Sequence, residues 1–240
     1  MKILADIHTH TIASGHAYST ITENIKAASE KGLKLIATTD HTAGMPGGAH
    51  DFHFANLKSL PDEMDGVMLL RGAEANIIDY EGHLDVSQEL LSELDMTIAS
   101  LHPPCIEFAD AQTVTRGLEK VMQNPYVSII GHPGDSRYPL DFERVVKMAK
   151  ETGTLLEVNN ASLKPTSFRP GVRESLIELL TYCKAYDMPI VLGSDSHHIS
   201  TIGGFEESIA LLEELDFPEA LVLNTNPEAL MNFISQKRLK

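Results

Sequence analysis

The 240-residue sequence contains no tryptophan, only two cysteines and few positive charges. Its 19 Lys and Arg residues stand against 34 Asp and Glu residues, which gives a formal net charge of −15. Proteins that grip nucleic acid or an anionic membrane over a broad face use clustered Lys and Arg, so we expect neither partner. The absence of tryptophan also removes the strongest platform for stacked bases.

Disulfides, a signal peptide and a membrane span are likewise not indicated. Cys105 and Cys183 cannot form a disulfide framework in a chain of this length, which favours reduced thiols in the cytoplasm. The N-terminus is acidic by Asp6 and lacks the long apolar region of a signal peptide. No apolar run approaches the ~20 residues of a membrane span. The sequence therefore predicts a cytoplasmic protein that is not bound to a membrane.

Short apolar runs alternate with longer stretches of helical spacing along the sequence. Runs that are apolar almost throughout are typical of strands buried on both faces of a parallel sheet. The predicted strands span residues 3–7, 33–38, 67–71, 96–99, 127–130, 155–158 and 190–192. The predicted helices span residues 20–32, 111–123, 141–152, 171–186, 205–215 and 227 to about 236.

A strand followed by a helix, repeated about seven times, is typical of a (β/α) barrel or an open doubly wound sheet. No glycine-rich phosphate fingerprint follows the first strand, which weakens the dinucleotide-binding version of the open sheet. No internal repeat or Pro/Ser-rich linker divides the chain, so we expect a single domain over residues 1–240. The glycine-rich stretch 41–53 predicts a loop over a site.

Histidines and carboxylates fall where the predicted strands end, which is where α/β proteins carry their chemistry. Five strand ends carry a histidine, a third-strand glutamate adds a carboxylate, and one more histidine lies in the first loop. A lone histidine at a strand end is more often an ordinary polar residue, but this many together are hard to obtain by chance. The candidate metal ligands are His8, His10, His16, His41, Glu74, His102, His132, Asp195 and His197.

The spacing of these residues favours a cluster of metal ions. Residues two apart on a strand point to the same face, which makes chelating pairs of His8 with His10 and of Asp195 with His197. Imidazole and carboxylate ligands suit zinc, manganese or iron, and the scarcity of cysteine excludes a thiolate site. Nine groups exceed the four ligands of one tetrahedral zinc, so two or three ions are implied, with Glu74 available as a bridge.

The ordered motifs D-x-H-x-H, T-D-H, an isolated Glu, S-x-H, G-H-P-G and G-S-D-S-H resemble the PHP (polymerase and histidinol phosphatase) superfamily. Segments 16–20, 53–54, 71–76 and 157–162 are similar, more closely, to the YcdX-like phosphatases. The resemblance runs from about residue 5 to residue 235. It implies an α/β fold, a distorted (βα)7 barrel, with a trinuclear metal site at the C-terminal ends of the strands.

The resemblance also implies three divalent ions, with zinc as the first choice and manganese or iron as alternatives. It assigns His8, His10, Glu74 and Asp195 to the first ion, His16, His41 and His197 to the second, and Glu74, His102 and His132 to the third.

Clustered divalent ions suit the hydrolysis of a phosphate ester, independently of any resemblance. They lower the pKa of bound water towards neutrality, which supplies a hydroxide nucleophile, and they clamp the phosphoryl oxygens. We therefore expect a metal-dependent phosphatase, a phosphomonoesterase acting on a small phosphorylated metabolite. The sequence leaves the oligomeric state open.

Four further residues are candidates for catalysis or substrate binding. Asp40 is expected either to orient a metal-bound imidazole or to cap a helix. His53 is a candidate for protonating the leaving group, and a partly exposed loop histidine is the alternative. Lys164 and Arg169 belong to the densest basic cluster, which either holds an anionic substrate or is ordinary surface charge.

Three other functions compete with the phosphomonoesterase. A 3′–5′ exonuclease or phosphodiesterase is disfavoured by the acidic balance. A metal-dependent amidohydrolase usually adds a carboxylated lysine on a middle strand, where this sequence has His102 without a lysine. A non-catalytic metal-binding module is disfavoured by the complete ligand set. Metal content and a panel of phosphate esters would separate these possibilities.

Overall fold

Eight strands and nine helices organise residues 1–239, the part of the chain that the computed structural model describes. The strands are β1 (Ala5–Asp6), β2 (Leu35–Thr38), β3 (Glu63–Met64), β4 (Val67–Asn76), β5 (Met96–Ser100), β6 (Ile129–Ile130), β7 (Leu155–Asn159) and β8 (Ile190–Gly193). Seven of them pair in parallel in the order β1-β2-β4-β5-β6-β7-β8, and β3 pairs antiparallel with β4. The predicted (βα)7 barrel is confirmed.

The helices are α1 (Ile21–Glu30), α2 (Asp51–Ala55), α3 (Gln88–Glu93), α4 (Ala111–Met122), α5 (Phe142–Thr152), α6 (Asn160–Leu163), α7 (Val172–Ala185), α8 (Glu206–Glu214) and α9 (Pro227–Lys237). The six longest lie where the sequence predicts helices. The Thr20 side chain accepts from the Glu23 N–H while Glu23 bonds back to Thr20, so a capping box starts α1. The short helices α2, α3 and α6 are not predicted, and α2 occupies part of the expected loop 41–53.

The first and last strands meet near their carboxyl ends and nearly close the barrel. Thr9 pairs in parallel with Ser196, and the backbone N–H of Asp195 donates to the carbonyl oxygen of His8 at 2.9 Å. These contacts bring the residues that follow β1 next to those that follow β8.

A buried asparagine joins the same two strands below this contact, at Ala5 of β1 and Leu192 of β8. The Asn224 side-chain amide donates to the carbonyl oxygens of Ala5 at 2.9 Å and Leu192 at 2.8 Å, and accepts from the Leu192 N–H at 2.7 Å. Satisfying buried backbone groups is a requirement of folding, and here one side chain does so in place of a strand ladder.

The barrel interior changes from apolar to polar along the strands. On one face of β5 the order is Met96, Ile98 and then Ser100, and on β7 Leu155 is followed by Glu157. Four α9 residues pack against the apolar half, of which Leu230 and Ile234 are buried and Met231 and Phe233 partly buried. Its buried members are Ala5, Ile7, Leu35, Ala37, Met96, Ile98, Ile129, Leu155, Val191, Leu230 and Ile234. The polar half therefore lies at the carboxyl ends of the strands. Within residues 1–239, no helix combines the length and apolar character needed to cross a bilayer.

Candidate metal centre

Two histidines and two carboxylates converge on one point at the centre of the polar half. The His8 Nε2 atom lies 3.1 Å from His10 Nε2, 3.4 Å from Glu74 Oε2 and 3.7 Å from Asp195 Oδ1. The His10 Nε2 atom lies 3.5 Å from Glu74 Oε2 and 3.3 Å from Asp195 Oδ1. Zinc ligands about 2.0–2.1 Å from a tetrahedral ion are about 3.3 Å apart, so the spacing of these four atoms suits one such ion.

Glu74 connects this group of four to further histidines. Its Oε2 atom lies 2.8 Å from His41 Nδ1, while its Oε1 atom lies 3.2 Å from His102 Nε2 and 2.9 Å from His132 Nε2. Burial alone would raise the pKa of Glu74, but the surrounding histidines outweigh it and hold that pKa well below its usual range. An ionised carboxylate with ligands at both oxygens has the arrangement of a bridging ligand.

The remaining two candidates form the solvent-facing side of the cluster. His16 Nε2 lies 3.0 Å from His197 Nε2, and the His197 ring is 4.3 Å from that of His10. His41 lies between these residues and the Glu74–His102 pair, because its ring is 5.1 Å from His16 while its Nδ1 faces Glu74. The structure thus brings all nine candidates together, and His41 is placed to serve either of two neighbouring positions.

The nitrogen and oxygen atoms of this cluster are better suited to binding metal ions than to hydrogen-bonding with one another. His41 Nδ1 and His102 Nε2 are buried near Glu74 oxygens, but the contacts lack hydrogen-bond geometry and leave both nitrogens without a partner among the described residues. Burial lowers the pKa of His10 to about 3 and that of His102 to about 4, which favours neutral imidazoles. Neutral imidazole is the form that binds metal.

Hydrogen bonds to the second ring nitrogen turn several of these imidazoles inwards. A metal-ligating histidine commonly donates its other N–H to a neighbouring oxygen, which fixes the ring. The pairs are His8 Nδ1 with Glu157 Oε1 at 2.8 Å, His10 Nδ1 with Ser14 Oγ at 3.0 Å, and His102 Nδ1 with Asn76 Oδ1 at 2.7 Å. In each pair the Nε2 atom is left to face the cluster.

The sequence reasoning missed these orienting partners. Glu157 and Asn76 are fully buried polar residues on strands, on the face that carries Glu74 and the metal-facing groups. Period-two alternation from apolar Leu155 to Glu157 is the signal that would have found the first of them.

Asp40 reaches the cluster through Ser14. Its carboxylate accepts from the Ser14 hydroxyl at 2.7 Å and lies 3.2 Å from His53 Nε2, and Ser14 in turn contacts the ring of His10. Burial would raise the pKa of Asp40, but hydrogen bonds from His53, Ser14 and the backbone lower it to about 2. The link to His41 is to its backbone N–H, which donates to Ser14 Oγ at 3.1 Å.

A cavity of about 290 Å³ opens over the solvent-facing side of the cluster. Lys164 and Arg169 both line it, together with Met45 and Phe168. The Arg169 Nη1 atom lies 3.0 Å from Ser162 Oγ and 3.4 Å from Asp195 Oδ2, and its guanidinium is 4.9 Å from the Phe168 ring centre. Over residues 1–239, Asp40 and His53 are not among the residues that line this cavity.

Two of the candidate ligands have left-handed backbone conformations that are unusual outside glycine. The φ angle is +30° at His132 and +53° at Asp195. The His132 N–H donates to Glu157 Oε2 at 2.6 Å, and the Asp195 N–H donates to the His8 carbonyl at 2.9 Å. Such conformations persist where the surroundings enforce them, and they concentrate at functional sites.

Comparison with known proteins identifies the family. The sequence model of the PHP domain matches residues 6–164. The chain belongs to the PHP domain family. A probable phosphatase of Clostridium novyi (strain NT) is 45% identical over 237 residues, which cover 99% of this chain and 96% of that protein. The family resemblance and the phosphatase class predicted from the sequence are confirmed.

Two solved structures share the fold of this PHP domain. One is the histidinol phosphate phosphatase of Lactococcus lactis subsp. lactis Il1403, crystallised with zinc, L-histidinol and phosphate. It has a TM-score of 0.57 and 16% identity, and the match covers 89% of this chain and 94% of that one. The other is a chain of an archaeal ribonuclease P complex with mature tRNA, with a TM-score of 0.60, 12% identity and coverage of 98% and 93%. Similarity at this level establishes the fold, and it does not identify the substrate of this chain.

Proposed function

We propose that this PHP-domain protein is a phosphomonoesterase that uses a trinuclear metal centre to act on a small phosphorylated metabolite. The observation that carries the proposal is the convergence of His8, His10, Glu74 and Asp195, with neighbouring donor atoms 3.1–3.7 Å apart, beneath a cavity with two cationic side chains. A volume of about 290 Å³ lies at the lower end of small-molecule pockets, which favours a small substrate.

The three ions would be zinc, with manganese or iron as alternatives, held by the nine residues in the sets that the family resemblance implies. Divalent ions in such a site lower the pKa of water and neutralise phosphoryl oxygens. Glu74 would be shared by the first and third positions, because its two oxygens face different histidines. His41 would be a ligand of the second ion, and its Nδ1 atom also lies 2.8 Å from Glu74 Oε2.

Lys164 and Arg169 supply positive charge at the cavity wall. The Arg169 guanidinium lines the cavity, and its Nη1 atom is held by Ser162 and Asp195, while the guanidinium carries further N–H donors. We assign it to the phosphoryl oxygens, because a planar guanidinium matches phosphate geometry, and we assign Lys164 to the remaining substrate charge. The chain carries a net charge of −15, so this local positive charge is what admits an anion.

Asp40 and His53 do not line the cavity among the described residues, and the roles proposed for them differ. Asp40 orients Ser14 and through it His10, so it is a positioning residue. His53, 22% exposed at its side chain and hydrogen-bonded to Asp40, remains the proposed donor of a proton to the leaving group. A His53→Gln variant tests that role, since a proton donor affects alkyl phosphates strongly and p-nitrophenyl phosphate weakly. Equal losses on both substrates would assign His53 to the support of Asp40 alone.

The remaining proposals concern the chain as a whole. We propose that residues 1–240 form one domain, and that the protein works in the cytoplasm on a small molecule, without a nucleic-acid or membrane partner. The acidic balance supports this, because a net charge of −15 disfavours a polyanionic partner, whereas Lys164 and Arg169 offer local positive charge at the cavity wall.

The decisive experiment combines metal content with a substrate panel. Purified protein is expected to contain about three divalent ions per chain and to hydrolyse p-nitrophenyl phosphate and sugar phosphates far faster than a bis-ester or single-stranded DNA. Chelation should abolish turnover, and Zn²⁺ or Mn²⁺ should restore it. Faster cleavage of the bis-ester or DNA would favour the exonuclease, and metal binding without turnover would favour a non-catalytic module.

A further inference from the structure

We propose that Asp85 is a positioning residue that orients the metal ligand His102 through the side chain of Asn76. Asp85 lies in the loop between β4 and α3. The inference rests on the proposed function to the extent that His102 is taken to bind an ion.

Four donors converge on the Asp85 carboxylate. Its Oδ1 atom accepts from the Thr42 hydroxyl at 2.6 Å and from the Asn76 backbone N–H at 2.8 Å. Its Oδ2 atom accepts from the Gly44 backbone N–H at 2.7 Å and from Asn76 Nδ2 at 2.7 Å. Three of these partners are N–H groups that can only donate, so both Asp85 oxygens act as acceptors.

The acceptors around Asn76 Nδ2 decide which way the Asn76 amide points: Asp85 Oδ2 is the shortest contact at 2.7 Å, and the Thr42 hydroxyl and carbonyl oxygens lie at 3.1 and 3.3 Å. Its Nδ2 atom must face the carboxylate, so its Oδ1 atom faces His102 Nδ1 at 2.7 Å. An amide oxygen can only accept, so the proton of His102 lies on Nδ1. The lone pair on His102 Nε2 is thereby directed towards the cluster, 3.2 Å from Glu74 Oε1.

The same carboxylate also fixes one wall of the cavity. Thr42 and Gly44 begin the loop that carries Met45 into the cavity lining. A Cβ atom at Gly44 would lie 2.6 Å from Asp85 Oδ2, so the glycine permits this close approach. One side chain outside the cluster therefore sets both the tautomer of a ligand and the position of the wall that faces it.

Asp79, in the same loop, is a matched control. Its carboxylate accepts from the backbone N–H groups of Glu81 and His83 and contacts His83 Nδ1 at 2.7 Å. These contacts organise the loop without reaching Asn76. An Asp79→Asn substitution thus makes the same chemical change in the same loop. It leaves intact the contacts that run from Asp85 through Asn76 to His102, which we call the relay.

The test compares zinc binding by wild-type protein, Asp85→Asn and Asp79→Asn in competition with a chromogenic chelator. The amide of Asp85→Asn has a single acceptor oxygen. Whichever way the amide turns, its NH₂ group points at N–H donors that the wild-type carboxylate accepts from. We expect the weakest bound zinc to lose about 10- to 100-fold in affinity, as for other partners that orient metal ligands, and Asp79→Asn to match the wild type. Unchanged zinc affinity in folded Asp85→Asn would overturn the proposal.

A reciprocal exchange separates the relay from a general loss of structure. Asn76→Asp alone places two carboxylates 2.7 Å apart, and Asp85→Asn alone places two donors together. The double variant restores one acceptor facing one donor between these two side chains and still offers His102 an oxygen, while the Gly44 N–H stays without its acceptor. We expect it to regain zinc affinity relative to both single variants. Losses that simply add would show that the two residues act independently.

A second readout keeps this inference distinct from the proposed function. Nitrogen-15 NMR of the histidine rings reports which nitrogen of His102 carries the proton, with no need for turnover. We expect an Nδ1 proton in the wild type and mixed protonation in Asp85→Asn. If the wild type binds no zinc and hydrolyses no ester, the proposed function fails. The tautomer of His102, measured in wild type and Asp85→Asn, still tests whether Asp85 orients His102. An unchanged tautomer in Asp85→Asn would reject the relay alone.

Discussion

The two halves of the barrel are lined by the same strands but have opposite chemistry. The amino-end half is closed by apolar side chains such as Ile98 and Leu155, which pack against α9. The carboxyl-end half, two residues further along the same strands, contains Ser100 and Glu157. Continuous parallel pairing joins both halves, so a single backbone framework supports a stabilising region and a reactive one.

The energetic consequences of the two halves differ. Burying apolar side chains stabilises the fold by roughly 25 cal/mol for each Å² removed from water. Burying imidazoles and carboxylates is costly unless they are paired or bind metal. The comparison predicts that substitutions in the amino-end half change stability, whereas those in the carboxyl-end half change metal binding and turnover.

The largest effect is expected at Glu74, which contacts five histidines. Glu74→Gln should lower kcat/KM by about 10³-fold or more, equivalent to about 4 kcal/mol, and should reduce the zinc content. Elemental analysis and p-nitrophenyl phosphate kinetics measure both. A Glu74→Gln variant that retains its zinc and its turnover would contradict the prediction that the carboxyl-end half controls metal binding and turnover.

Ile98→Ala tests the opposite half. Removing this fully buried side chain should lower the free energy of unfolding by about 2–5 kcal/mol, because it leaves a cavity in the apolar interior. Urea unfolding of the metal-free protein measures the change. Zinc content and kcat of the folded variant should remain close to wild type, and a large fall in either would mean that the halves are coupled.

Asn224→Ala probes the join between β1 and β8. The substitution removes three hydrogen bonds and leaves buried backbone groups unsatisfied, so we expect a loss of about 1–3 kcal/mol in unfolding free energy. His8 and Asp195 follow the two joined strands, so a small loss of zinc affinity should accompany it. Loss of zinc without loss of stability would show that the join acts mainly on the metal centre.

The smallest effect is expected at the cavity wall. Arg169→Met should raise KM for phosphate monoesters about tenfold, equivalent to about 1.4 kcal/mol, because it removes a charged donor to the phosphoryl group. Arg173→Met is the matched control, since Arg173 pairs with Glu214 on the protein surface. Equal KM changes in the two variants would assign the effect to general charge.

Much of the fold and most of the candidate metal ligands could be predicted from local sequence patterns. Apolar runs predict the seven parallel strands, and a capping box predicts the start of α1, because both signals depend on neighbouring residues. The strand-end positions of His8, His10 and the other candidate ligands were readable because parallel strands place their carboxyl ends together. The short helices α2, α3 and α6 were not readable, since few residues carry their pattern.

Tertiary structure alone decided how the cluster is supported. Asn224, 219 positions from Ala5 and 32 from Leu192, joins β1 to β8. Asp40 acts on His10 through Ser14 because the chain folds these residues together. Likewise, Asp85 reaches His102 only through Asn76. Hydrogen bonds of this kind depend on distance and direction between remote segments, which no local pattern encodes. The sequence by itself thus determined which groups are available for chemistry, and the tertiary structure determined which partners hold them in place.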